Sequence, residues 1–402
     1  MSKITNIKSR EILDSRGRPT LEVVVYAGVA TGTFQVPSGA STGSAEASEL
    51  RDSDGHMSRA IENIEKIIKP SLLGVEVTEQ KKIDETMIAL DGTGDKSRLG
   101  GNAMVGVSIA AAKASASAEG RELFEYLRTL SDIKPSRQTP YLYFNYINGG
   151  KHAASPLSFQ EHIIVPQADS IGEALEIAWN VETALGIIIT NEYGDSAGSS
   201  MGDEGGYIIP ENDYKKPFDL LRQAVVASKC DGLVRLATDV AASSFYKNGS
   251  YLVGGKTYSA KELRDIFIAL DKEFNFLSIE DPFFEGSFKD FADLKSVLEA
   301  KIVGDDLTVT NSKKLAEAVA QNAIDAIIIK PNQIGTLTET LATMKEARDN
   351  GLDCIVSHRS GETEDSFIAD LVYAFGCFGL KAGALRRPER VIKYKRLLDI
   401  TK

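Results

Sequence analysis

Six short apolar segments in the second half of the chain each run into a charged residue, and this regularity constrains the fold more than any other feature. Val234–Ala237, Phe276–Ile279, Lys301–Gly304, Ala326–Ile329, Cys354–Ser357 and Gly379–Ala382 read as β-strands. Asp239, Glu280, Asp305, Lys330, His358 and Lys381 stand at or near their ends. The last four intervals are 25, 25, 28 and 23 residues, and the first, 41 residues, contains an insertion at Lys247 to Tyr258. One strand–helix unit takes roughly 30 residues. The helix starts between them are marked by Ser170…Glu173, Ser259…Glu262 and Thr336…Glu339, each an S/T-x-x-E capping box. Gly351 closes the helix that Thr336 opens. Such alternation predicts parallel β/α units closing into a barrel, with one charged residue per unit at a common mouth.

The first part of the chain reads differently, as strands followed by helices. Leu21, Val23 and Val25 alternate with Glu22, Val24 and Tyr26, and Gly32 to Val36 forms a second extended stretch. Helical periodicity follows at Ile61, Ile64, Ile67 and Ile68, then at Ile83, Met87, Ile88 and Leu90. Asn102 to Tyr126 reads as one long Ala-rich helix, with Ala112, Ala116 and Gly120 on one face. The polar stretch Arg128 to Pro140 divides the chain into a domain at 1–130 and another at 140–402.

Composition narrows the chemistry. The net charge of −11 gives no general attraction to nucleic acid. No apolar run approaches membrane-spanning length, and Met1–Thr5 lacks a signal-like apolar core, so a cytoplasmic protein is expected. Three cysteines without C-x-x-C spacing fit a reducing compartment. Only four histidines are present, so a bound metal would take carboxylate oxygens, as magnesium, manganese or calcium does.

Asp239, Glu280 and Asp305 on neighbouring strands would repel one another unless capped, salt-bridged or joined by a divalent cation. Lys330 and Lys381 can serve as counter-ions. Near a cation and each other their pKa should fall, making either a general base. His358-Arg359-Ser360-Gly361 reads as an anion site at a helix start, although a lone histidine is more often a core residue. Gly202-Asp203-Glu204-Gly205-Gly206 and Gln160-Glu161 bring acids whose crowding should raise a carboxyl pKa, with a turn role open for Asp203. Gln160-Glu161 is placed at the end of a strand-like run. Asn148-Gly-Gly-Lys-His152 reads as a lid loop.

Taken together these motifs resemble the enolase family. The match runs from Arg10-Glu-Ile-Leu-Asp-Ser-Arg-Gly17 through Val36-Pro-Ser-Gly-Ala-Ser-Thr-Gly43, Gly202–Gly206, Ser278-Ile-Glu-Asp-Pro-Phe283, Gly304-Asp-Asp-Leu-Thr-Val-Thr-Asn311 and Lys330-Pro-Asn-Gln-Ile-Gly335 to Ser357-His-Arg-Ser-Gly-Glu-Thr-Glu-Asp365. The resemblance implies a small α+β N-terminal cap before a modified TIM-type barrel. It implies dehydration of 2-phospho-D-glycerate, two Mg²⁺ per site, and a homo-oligomer, dimer or octamer. Asp239, Glu280 and Asp305 would bind one metal and Ser41 the other. Lys330 would be the base, Glu204 with Glu161 the acid. Lys381 would pair with the substrate carboxylate and Arg359 and Ser360 with its phosphate. His152, Gln160 and His358 would complete the pocket. The loop after His152, Ala-Ala-Ser-Pro-Leu-Ser-Phe, departs from the family pattern, as does Pro388. The altered loop keeps a second reading open, a paralogue acting on another carboxylate or serving as a binding protein.

Overall fold

The computed structural model describes residues 2–40 and 43–402. Three antiparallel strands, β1 (Ile4–Leu13), β2 (Pro19–Ala27) and β3 (Ala30–Gln35), open the chain. Sequence reading missed β1, because its half-exposed residues show no clean alternation. The Gly101–Glu119 helix packs on this sheet so closely that a Cβ on Gly32 would lie 2.1 Å from the Ala110 carbonyl oxygen. The helix expected to reach Tyr126 ends earlier, at Gly120, whose left-handed φ of +64° stops it, and Leu123–Leu130 forms a separate helix.

The barrel is closed by β4 (Tyr141–Asn148), β5 (Glu161–Pro166), β6 (Val234–Asp239), β10 (Ser278–Glu280), β11 (Lys301–Gly304), β12 (Ala326–Ile329), β13 (Asp353–Ser357) and β14 (Gly379–Lys381), in that order around the wall. The insertion after β6 contributes a small sheet, β7 (Tyr246–Lys247), β8 (Ser250–Val253) and β9 (Lys256–Tyr258). Seven barrel strands run the same way, and β5 runs antiparallel to both β4 and β6. That reversal corrects the placement of Glu161. It begins its strand rather than ending one, and reaches the mouth because the strand points away from it.

Helix caps follow the sequence. Ser170, Ser259 and Thr336 each accept from the backbone N–H three residues on, but among these only Ser259 closes the reciprocal box. Glu339, the partner expected for Thr336, also reaches Lys96 of the cap at 2.7 Å. Buried Asp84 of the cap accepts from the N–H and hydroxyl of Thr338, and Ser108 from the N–H of Leu337. The N-terminal region therefore supplies donors' partners to a barrel helix and ties the two regions together. Pro388 opens the Pro388–Ile400 helix at its first position, where proline's missing N–H costs no intrahelical bond.

Candidate active site

Strand alternation builds the site. Tyr143, Ile163, Val165, Ala237, Val303, Ile328 and Ile355 fill the barrel interior. Two residues towards the mouth from this layer, on the same face, stand Asn145, Glu161, Asp239, Asp305, Lys330 and Ser357. On β10 and β14 the interior positions are small, Ser278 and Gly379, because the Tyr143 ring fills the space; a Cβ on Gly379 would lie 2.7 Å from that ring. Glu280 and Lys381 rise above it. A cavity is lined by Glu161, Asp239, Asp305, Lys330, Ser357 and Lys381 together with His152, Gln160, Glu204, His358, Arg359 and Ser360.

One wall carries glutamates and histidines. Glu204 Oε2 accepts from Asn145 Nδ2 at 2.9 Å, and its Oε1 lies 3.4 Å from His152 Nδ1 and 3.2 Å from His358 Nε2. Glu161 Oε1 lies 3.6 Å from the same His152 nitrogen. Arg390 donates to His358 Nδ1 at 2.6 Å; an arginine only donates, so the ring proton sits on Nε2, facing Glu204. Burial brings His358 down to about 4 and lowers His152 too. Burial, and then the charge of Glu204, push Glu161 well up. Burial would raise Glu204 as well, but His152, His358 and Arg390 outweigh it and hold Glu204 low. The same pocket therefore drives the two carboxyls apart, Glu161 up and Glu204 down.

Lysines on carboxylates line the rest of the mouth. Lys381 Nζ donates to Asp239 at 3.0 Å and to both Glu280 oxygens at 2.9 and 2.8 Å, and lies 3.1 Å from Glu161. Lys330 Nζ pairs with Asp305 Oδ2. Burial opposes the charge of both lysines, but their carboxylate partners prevail and hold both pKa values up; the fall expected beside a divalent cation concerns the metal-bound site. Gln160 Nε2 reaches Asp239 at 3.4 Å.

The His358–Gly361 segment is not a helix start. Phe367 begins the next helix, and the segment instead pairs with the cap, Ser38 N–H donating to Gly361 O at 2.8 Å and Gly361 N–H to Ser38 O at 2.9 Å. Arg359 binds Glu46 through both terminal nitrogens at 3.1 Å and Asn332 at 2.9 Å, and Ser360 Oγ accepts the Ala40 N–H at 2.6 Å. Fully buried Arg390 donates to the carbonyls of Asp203, Arg359 and Ser360 at 2.9, 2.6 and 2.7 Å. Sequence reading missed Glu46, Asn145, Asn332 and Arg390. Arg390 lay in the Arg386–Arg390 cluster and Asn332 in the Lys330 motif, but nothing local distinguishes Glu46 or Asn145. The two histidines left without a role now have one: His56 pairs with Glu11 at 2.8 Å, and buried His162 packs on Phe218 and contacts Ile147 O. Ser41 lies outside the described residues.

The donor set suits a hard divalent cation. Among the described residues, two groups bring one potential ligand atom each to within 4.8 Å of one another, Asp281, Asp305 and Asp306, and His152, Glu161 and Glu204. The expected set Asp239, Glu280 and Asp305 is not gathered that tightly, because Lys381 stands between Asp239 and Glu280 and Lys330 holds Asp305. Burial, and next the charge of Asp305, lift Asp306 to about 7, and burial with Asp239 lifts Glu280 well up.

A closed barrel under an α+β cap, with Lys330 facing a glutamate pair across a buried acidic mouth, defines a two-domain barrel enzyme of the acid–base class. The comparisons carry this to the family. A model of the enolase N-terminal domain matches residues 4–127, and one of the enolase C-terminal TIM barrel domain matches 137–402. The enolase of Methanopyrus kandleri is 45% identical over 413 residues, covering 100% of this chain and 96% of its own. Those of Methanocaldococcus jannaschii and Thermococcus kodakarensis are 44% and 43% identical, each covering 99% of this chain and 95% and 94% of their own. The chain belongs to the enolase family, and nothing in these matches favours the paralogue reading.

Proposed function

We infer that the protein catalyses the reversible, Mg²⁺-dependent dehydration of 2-phospho-D-glycerate to phosphoenolpyruvate. The observation that carries this reading is topological. In the barrel order, β12 with Lys330 stands four strands from β5 with Glu161, so an amine and a carboxyl face each other across the cavity. An elimination needs a base at C2 and a proton donor beyond C3, and an amine and a carboxyl on opposite sides support that reading. Lys330 takes the C2 proton. Glu204 delivers a proton to the departing C3 hydroxyl, replenished from Glu161 through their shared approach to His152. Lys381 pairs with the substrate carboxylate, and Arg359 and Ser360 hold the phosphate. His152, Gln160 and His358 bound the reacting carbons and exclude water.

Asp239, Glu280 and Asp305 would hold one Mg²⁺ and Ser41 would help hold a second. The metal supplies Lewis-acid charge for the dianion that forms when C2 loses its proton. Lys330 pairs with Asp305 in this structure, and it would give up that partner where Asp305 served as a metal ligand. The same reading divides the chain into a 1–130 cap and a 140–402 barrel and makes it a cytoplasmic homo-oligomer, dimer or octamer. No helix among the described residues is long and apolar enough to cross a membrane. The test mixes purified protein with 2-phosphoglycerate and follows phosphoenolpyruvate absorbance. A signal that appears with Mg²⁺ and vanishes with chelator supports the reading; folded protein that gives none in Mg²⁺ overturns it.

A further inference from the structure

Two consecutive β-branched residues, Val309 and Thr310, lie in the left-handed region at φ of +44° and +54°, and both are buried. A β-branched side chain is a rare outlier there, and strain of this kind persists only where the surroundings impose it. Asp305 O accepts the N–H of Thr308 at 3.0 Å and of Val309 at 2.8 Å, and Thr343 Oγ1 donates to Thr310 O at 3.0 Å. Glycine would relax such a turn but would supply no hydroxyl.

The hydroxyl of Thr310 makes two bonds that matter. It accepts the backbone N–H of Lys330 at 2.9 Å and donates to Gln333 Oε1 at 2.8 Å. Gln333 Nε2 in turn donates to Asp305 Oδ1 at 3.0 Å, and Asp305 Oδ2 holds Lys330 Nζ. Donation from Thr310 to Oε1, with Nε2 facing two carboxylates, sets which way the Gln333 amide points. Reversed, its oxygen would face the carboxylates of Asp305 and Glu46, the latter 3.3 Å from Nε2. One hydroxyl therefore sets the backbone of Lys330 and, through Gln333, the carboxylate opposite its ammonium. Val309, the other strained residue, packs so closely on Gly43 that a Cβ there would lie 2.6 Å from Val309 Cγ1.

We propose that Thr310 is a positioning residue for the base and for its carboxylate, acting through Gln333, and that the left-handed turn is kept because it aims this hydroxyl. The proposal rests on the dehydratase reading above. Thr310→Val keeps size and branching but removes the hydroxyl, and Thr310→Ser keeps the hydroxyl. Three quantities are read on wild type and both variants: exchange of the substrate C2 proton in D₂O, Mg²⁺ affinity by calorimetry, and melting temperature without metal. Thr310→Val should slow exchange by roughly 100-fold, as a misplaced group does, and weaken Mg²⁺ by about 10-fold. Thr310→Ser should recover both to within about threefold of wild type. Gln333→Met, made in parallel, should reproduce the Thr310→Val loss. Wild-type exchange in a folded Thr310→Val protein would overturn the proposal, as would a loss that serine does not restore while its melting temperature matches wild type. An inactive wild type would instead overturn the dehydratase reading, so the two failures are distinguishable.

Discussion

The β5 wall and the β12 wall of the mouth are both buried and both charged, yet they satisfy their polar atoms in opposite ways. On the β5 wall, Asn145 Oδ1, Gln160 Oε1 and Glu161 Oε2 have no hydrogen-bond partner. On the β12 wall, Asp305, Lys330, Gln333 and Thr310 close a network, and none of their buried atoms lacks one. Unpaired buried polar atoms are costly and rare, so a cluster of them marks where a ligand's own groups belong. On the proposed reading the β5 wall is the one left open to substrate, and Lys330 on the β12 wall is held by its ion pair with Asp305.

The largest effect should come from the β12 wall. Lys330→Ala should cut C2 exchange and dehydration by roughly 10³- to 10⁴-fold, the upper range for a general base, while calorimetry still finds Mg²⁺ binding. Retained exchange would erase the contrast between the walls. A second variant breaks the seam between them. Arg390→Met strips donors from the carbonyls of Asp203, Arg359 and Ser360, and each unsatisfied acceptor costs about 1–3 kcal/mol. Chemical denaturation should show a loss on the order of 3 kcal/mol, and KM should rise as the Arg359–Ser360 loop loosens.

A smaller effect probes the base of the Glu204 loop. Glu182 lies 3.7 Å from Arg386, which donates to Ser200 O beneath that loop. Burial, opposed by Arg386, raises Glu182 from 4.5 to about 7. The sign is that of a buried acid: the uncharged form is favoured, so its stability is present below pH 4.5 and is lost as pH rises through 7. Glu182→Gln should match wild type near pH 4.5 and exceed it by roughly 2–3 kcal/mol above pH 7. Equal stability at both pH values would remove Glu182 from this account.

The legible and illegible parts of the sequence divide along physical lines. Strand ends were legible because apolar runs and a charged terminus recur at a fixed interval, and Asp239, Glu280, Asp305, Lys330 and Lys381 all line the mouth as that interval implies. The direction of β5 was not, since an apolar strand reads the same in either orientation, and Glu161 was therefore put at the wrong end. Charge states were illegible for a deeper reason. Whether a lysine's pKa falls or rises depends on which carboxylate it touches, and Lys330 touches Asp305 only through the fold. Glu46, Gln333 and Thr310 act between segments hundreds of residues or one whole unit apart, which no local pattern records.

On the proposed reading, base and acid occupy separate walls and act separately. The direct measurement is proton–deuterium exchange at C2 of 2-phosphoglycerate, followed by NMR in D₂O with Mg²⁺ and the Glu204→Gln variant. The account predicts that the C2 proton washes out while phosphoenolpyruvate formation falls by roughly 10²-fold or more. A folded, Mg²⁺-binding Glu204→Gln protein that has lost exchange together with dehydration would contradict it.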